Sequence, residues 1–123
     1  MGDIMDIFCR IVNLEIPCYK VYEDDLVLAF LDINPKSNGH TILIPKEHTL
    51  DITTVSNDKM IYMMDIVKVL KDKLKDKLNY DGITILTNLE SAQDIKHFHI
   101  HLIPVYKNDT IDSVENIYNK IMN

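Results

Sequence analysis

The segment His97-Phe98-His99-Ile100-His101-Leu102-Ile103-Pro104 constrains this chain more than any other. Successive residues of a strand point to opposite faces, so an extended reading sets His97, His99 and His101 on one side and Phe98, Ile100 and Leu102 on the other. The apolar side must be covered, which calls for a sheet packed against a helical layer. Three of the five histidines of the chain stand on the polar side. A single surface histidine needs no special account. Three at strict alternation over a clean apolar face exceed what packing demands and point to chemistry.

The flanking sequence supplies the rest of such a sheet. Residues Asp6–Leu14 place Ile7, Ile11 and Leu14 at helical spacing, with Glu15-Ile16-Pro17 expected to end the helix. Tyr19–Glu23 and Leu26–Leu31 read as strands joined at Asp24-Asp25, Asn34–Gly39 as a loop, and His40–Ile44 as a strand that stops at Pro45. Asn57–Leu78 is the clearest helix, with Met60, Met64, Val67, Leu70, Leu74 and Leu78 in one stripe read as core. Ile83–Thr87 and His97–Val105 add two strands. Ile111–Met122 adds a last helix, with Ile111, Val114, Ile117 and Ile121 on one face. Helix, three strands, long helix, two strands and helix predict one α+β domain over residues 1–123, with a mainly antiparallel sheet of about five strands.

Composition narrows the function. A chain of 123 residues can bury one core. Its net charge of -6 argues against nonspecific nucleic-acid binding, but not against a single nucleotide, whose phosphate needs only a few local donors. Cys9 and Cys18 are too few for a disulfide framework and read as reduced thiols. No apolar run reaches membrane-spanning length, and no basic stretch precedes an apolar one at the N-terminus. After Met1-Gly2, Asp6 stands where a myristoylation signal needs a hydroxyl. A cytoplasmic location is expected.

Two chemistries compete for the histidine face. Three histidines can hold catalytic zinc. On one strand, however, His97 and His101 would have Cα atoms about 13 Å apart, while each ring nitrogen must come within ~2.1 Å of a single ion. The alternative is nucleophilic catalysis. Imidazole, with an ordinary pKa of about 6.5, attacks phosphorus without prior activation near neutral pH. Neighbouring histidines can then orient it, bind phosphate oxygens and move the leaving-group proton.

The pattern His-apolar-His-apolar-His-apolar-apolar over His97–Ile103 resembles the signature of the histidine-triad (HIT) hydrolases and transferases. The likeness extends through Ile7-Phe8-Cys9-Arg10-Ile11, Glu15-Ile16-Pro17, Tyr22-Glu23-Asp24, Leu28–Pro35, Gly39-His40-Thr41 and Ile44–His48. The compact chain is more similar to the purine-nucleoside phosphoramidase branch and its bacterial relatives than to the diadenosine-polyphosphate branch. The resemblance implies that His99 attacks the α-phosphorus and carries the nucleotide, that His101 contacts the phosphate and leaving group, and that His97 orients the site. It places Gln93 beside the phosphate, gives Asp32 both ribose hydroxyls, and sandwiches the purine among Phe8, Ile11, Phe30 and Ile33, with Ile7 nearby. It also implies a homodimer, with residues 109–123 forming a C-terminal helix near the partner's site. No cofactor is required.

The chain departs from the pattern in three places. Asn88 stands without the usual glycine two residues on, and Ala92 replaces the glycine before Gln93, which weakens the phosphate contact implied for Asn88. Asp94 occupies a position where a hydroxyl residue often faces the leaving group. Some bacterial relatives hold structural zinc through Cys-x-x-Cys in the first helix, a later histidine and the first triad histidine. Here Asp6 replaces the first cysteine, leaving Asp6, Cys9, His48 and His97 as candidate ligands, with an empty site preferred because carboxylate is a weaker partner for a soft-ligand site. The reading is hydrolysis of purine nucleoside 5′-phosphoramidates or related conjugates through nucleotidyl-His99. The alternatives are a dinucleoside polyphosphate hydrolase, a noncatalytic purine-nucleotide scaffold and, disfavoured by spacing, a metalloprotein centred on the triad.

Overall fold

The computed structural model describes residues 6–123, so the Met1-Gly2 terminus lies outside the described residues. Three helices and five strands run in the order α1 (Ile7–Val12), β1 (Lys20–Glu23), β2 (Val27–Leu31), β3 (Thr41–Pro45), α2 (Asn57–Leu78), β4 (Gly82–Leu86), β5 (Ile100–Val105) and α3 (Val114–Met122), with one 3-10 turn at Glu90–Ala92. The strands form one sheet in the order β1-β2-β3-β5-β4, and every neighbouring pair is antiparallel. No helix among the described residues is long and apolar enough to cross a membrane.

The central strands β2 and β3 are buried throughout, which explains their near-continuous apolar runs. Val27, Ala29, Leu31 and Leu43 pack with Phe98, Ile100 and Leu102 under α2 and α3. Leu28, Phe30, Ile42 and Ile44 face the other way and meet Phe8 and Ile11 of α1. The sheet is thus covered on both faces, and the short α1 forms a small second core over the histidine side.

Several local expectations need correction. His97 and His99 precede β5 rather than lie within it. The ladder with β3 begins at the Leu43–Ile100 pair, and just beyond it Pro45 has no amide to extend the ladder towards Phe98. Phe98 turns its amide to the Thr49 carbonyl instead. In α2, Val67, Leu70 and Leu74 are buried as expected, with Met60 and Leu78 half-buried against the same core, but Met63 and Ile66 are buried in place of Met64, which is 37% exposed, because the buried face is wider on the Met63 side. The last helix begins at Val114, capped by the Ser113 hydroxyl, not at Ile111. Asn38 holds the preceding segment extended by donating to Asp109 and the Thr110 carbonyl and accepting from the Asp112 amide. Ile117 and Ile121 are buried in the chain's own core, and Ile111 is exposed.

The first helix is also shorter than expected and ends at Val12. The Leu14 and Glu15 amides donate back to the Ile11 and Arg10 carbonyls, and Leu14 takes the left-handed conformation (φ 65°) that closes such a helix end. Gly39 has φ 90°, and a Cβ there would lie 2.5 Å from Leu78 Cδ1, so glycine is required just before His40 leads into the central strand β3.

Candidate functional site

A cleft of about 240 Å³ opens between α1 and the histidine side of the sheet. Phe8 and Ile11 reach it from α1, Phe30 and Asp32 from β2 and its end, and His99 and His101 from the triad segment; Ile33 and Asp94 lie at its rim. The Phe8 ring stands edge-on to Phe30 at 5.7 Å, to His97 at 5.7 Å and to His99 at 5.0 Å. The apolar residues named from sequence therefore all line one cleft, with Phe8 against two triad histidines. Ile16, Pro17, Cys18, Ile42 and Ile95 also line it.

Hydrogen bonds settle which nitrogen of each histidine holds its proton. His99 Nδ1 lies 2.7 Å from the His97 carbonyl oxygen, which can only accept, so Nδ1 donates and Nε2 keeps its lone pair. His97 Nε2 donates to the Pro45 carbonyl at 3.0 Å, which leaves its Nδ1 as an acceptor. The Lys36 amide donates to His40 Nδ1 at 3.2 Å, so His40 Nε2 carries a proton and donates to His101 Nδ1 at 2.9 Å. His101 consequently has Nε2–H left to offer. Burial, the largest influence on each, lowers the pKa of His40 and His99 and takes His101 down to about 4, with His99 and His40 adding to the effect on His101. All three are neutral near pH 7.

His40 was not singled out as a site residue from sequence. Its signal lies in the register: it immediately precedes β3, where Ile42 pairs with His101. Asp32 serves as both turn residue and cleft acceptor, since Oδ1 accepts the Asn34 amide at 2.8 Å while Oδ2 lies 3.7 Å from His40 Nε2. Gln93 and Asn88 are not among the cleft-lining residues. Gln93 is buried and donates to the Leu50 carbonyl at 2.6 Å, bracing the loop before α2.

Behind the triad, Asp6, Cys9, His48 and His97 present ligand atoms within 4.8 Å of one another. Cys9 Sγ is 3.4 Å from His48 Nδ1 and 3.6 Å from His97 Nδ1, and Asp6 Oδ2 is 3.2 Å and 3.1 Å from the same nitrogens. Bonds of about 2.0–2.3 Å in a tetrahedron set ligands roughly 3.3–3.8 Å apart, so four of the edges already match zinc to within a few tenths of an ångström. The His97 Nδ1 lone pair also faces the Asp6 carboxylate, an arrangement that a cation between them satisfies. These residues fit structural zinc, which would tie α1 to the triad. A second group, Asp32, His40 and His101, is gathered in the cleft, but its histidine nitrogens are already paired with each other.

The comparisons agree with this geometry. The HIT domain signature spans residues 13–108. The chain is 46% identical over 108 residues to an uncharacterized HIT-like protein of Borreliella burgdorferi, covering 84% of this chain and 77% of that protein. It superposes with a TM-score of 0.88 on a hypothetical histidine triad nucleotide-binding protein from Sulfolobus tokodaii, 33% identical and covering 94% and 89% of the two chains. It superposes at 0.87 on a zinc-bound histidine triad family protein from Mycobacterium smegmatis, 30% identical and covering 98% and 92%. The chain belongs to the HIT family.

Proposed function

We propose that this protein hydrolyses purine nucleoside 5′-phosphoramidates, or related nucleotide conjugates, through a nucleotidyl intermediate on His99. The observation that carries the reading is the locked tautomer of His99, whose Nδ1–H is held by the His97 carbonyl while Nε2 is left as an uncharged nucleophile on a cleft-lining residue. The purine lies between Phe8, Ile11, Phe30 and Ile33, and Asp32 accepts from the ribose. His99 Nε2 bonds to phosphorus as the P–N bond breaks, and the departing amine takes a proton from solvent. His101 Nε2–H donates to a phosphoryl oxygen as charge builds there. Water then attacks the nucleotidyl-histidine, releasing the nucleoside monophosphate and returning a proton.

Rapid-quench mass spectrometry with a nucleoside phosphoramidate tests this. A nucleotide mass on His99 that forms and decays at the turnover rate is expected, with turnover in His99→Ala lower by orders of magnitude while nucleotide binding persists. Binding without any adduct or turnover in the native protein would instead make it a noncatalytic nucleotide scaffold. We further infer a homodimer in the cytoplasm and structural zinc on Asp6, Cys9, His48 and His97. The dimer reading is supported by exposed Ile85 on the edge strand β4 and Val105 paired beside it, and the zinc reading by the tetrahedral spacing of the four ligands.

A further inference from the structure

We propose that Asp94 sets the leaving-group preference of this site, favouring substrates whose departing amine carries an additional positive charge; the inference rests on the nucleotidyl-transfer reading above. Of the sixteen described residues that line the cleft, none is lysine or arginine, and two are carboxylates, Asp32 and Asp94. A cleft that must hold a phosphate thus has no formal cation on its walls. The phosphate is left to neutral donors such as His101 Nε2–H, and each further negative charge on the substrate meets like charge.

The two carboxylates are not equivalent. Asp32 is held at the end of β2, with one oxygen on the Asn34 amide and the other toward His40. Asp94 is exposed, on the segment between the 3-10 turn and the triad. It lines the same cleft as His99 and His101. The buried end of the cleft, with Phe8, Ile11, Phe30 and Ile42, suits a base. With phosphorus at His99, the group that departs leaves on the open side, where Asp94 stands. The nearby cations do not cancel it: Lys36 acts on His40 and His101 and does not line the cleft, and the Lys96 ammonium is turned to the Glu90 carbonyl at 2.7 Å. An ionised carboxylate accepts but cannot donate, so it suits a departing ammonium-bearing amine and opposes a departing phosphate. Asp94 forms and breaks no bond itself.

The experiment uses three adenosine 5′-phosphoramidates whose leaving amine ends, on the same four-carbon chain, in ammonium, methyl or carboxylate. In the native protein kcat/KM is expected to fall in that order, with a cation-to-anion ratio of about tenfold or more, beyond what a fully exposed ion pair produces. Asp94→Asn should bring the ratio close to one, and Asp94→Lys should invert it. Turnover of all three with a flat ratio, or a ratio that Asp94→Asn leaves unchanged, overturns this proposal and leaves the proposed reaction standing. No turnover of any of the three, with no adduct on His99, overturns the reaction and the preference together.

Discussion

The Nδ1–H of His99 donates to the carbonyl oxygen of His97, two residues earlier in the chain, at 2.7 Å. A main-chain bend therefore sets the protonation geometry of the proposed nucleophile. The Phe98 amide anchors that bend to the Thr49 carbonyl, and His97 anchors it to the Pro45 carbonyl. The proposed nucleophile owes its orientation to the β3–α2 connection as much as to β5, which it precedes.

Burial lowers the His99 pKa below the ordinary histidine value, which predicts the acid limb of the rate profile. In the proposed mechanism the neutral form attacks, so kcat/KM should stay level as pH falls from about 8 past the usual histidine range near 6.5. It should decline only as the pH passes through the lowered His99 value. Initial rates on a phosphoramidate across this range provide the measurement. An acid limb centred at or above about 6.5 would contradict the buried, neutral nucleophile.

The histidine strand, the long helix and the order of elements were legible because periodicity records burial directly. Phe98, Ile100 and Leu102 are all buried as the alternation requires, and α2 runs from Asn57 to Leu78 as expected. What alternation could not reveal was that the histidine side is covered as well, since α1 is distant in sequence and closes over it only in the folded chain. That covering buries His97 and His99. The hydrogen bond between His40 and His101 was hidden for the same reason, because it depends on strand register. The apolar spacing extends the last helix back to Ile111, and only the distant Asn38 shows why it begins at Val114 instead.

A homodimer is expected in solution. Among the described residues β4 pairs only with β5, and Ile85 on it and Val105 beside it are 45% and 47% exposed. Light scattering at micromolar concentration should give twice the 14.3 kDa chain mass. Ile85→Lys, which charges this edge, should shift the population towards monomer. A monomeric mass for the native protein would refute the association.

Zinc should accompany the purified protein at one ion per chain. The four candidate ligands are already spaced as a tetrahedral ion needs, and Asp6 is placed for it because its other oxygen caps α1 through the Cys9 amide at 2.8 Å. Elemental analysis after exchange into metal-free buffer checks the stoichiometry. Cobalt substitution should give the absorption bands of a tetrahedral site with one thiolate. Asp6→Ala should weaken binding at least tenfold, and Cys9→Ser should abolish the thiolate band. Only trace metal in the native protein would show that Cys9 is simply a small buried residue.

Leu14 offers a test of how α1 is held over the cleft. It closes the helix at φ 65°, and its side chain is 76% exposed, so little burial is lost when it is removed. A side chain in the left-handed region costs roughly 1–2 kcal/mol that glycine avoids. Against this, glycine frees the unfolded chain by about 0.4–1 kcal/mol. The net expectation for Leu14→Gly is a gain of about 0.5–1 kcal/mol, or roughly 2–4 °C in Tm for a domain of this size. Leu14→Ala keeps the Cβ and should show no such gain. Thermal melts of the two variants beside the native protein decide the matter. A lower Tm for Leu14→Gly would mean that the exposed leucine contributes packing, for instance against a partner subunit, that outweighs its backbone strain.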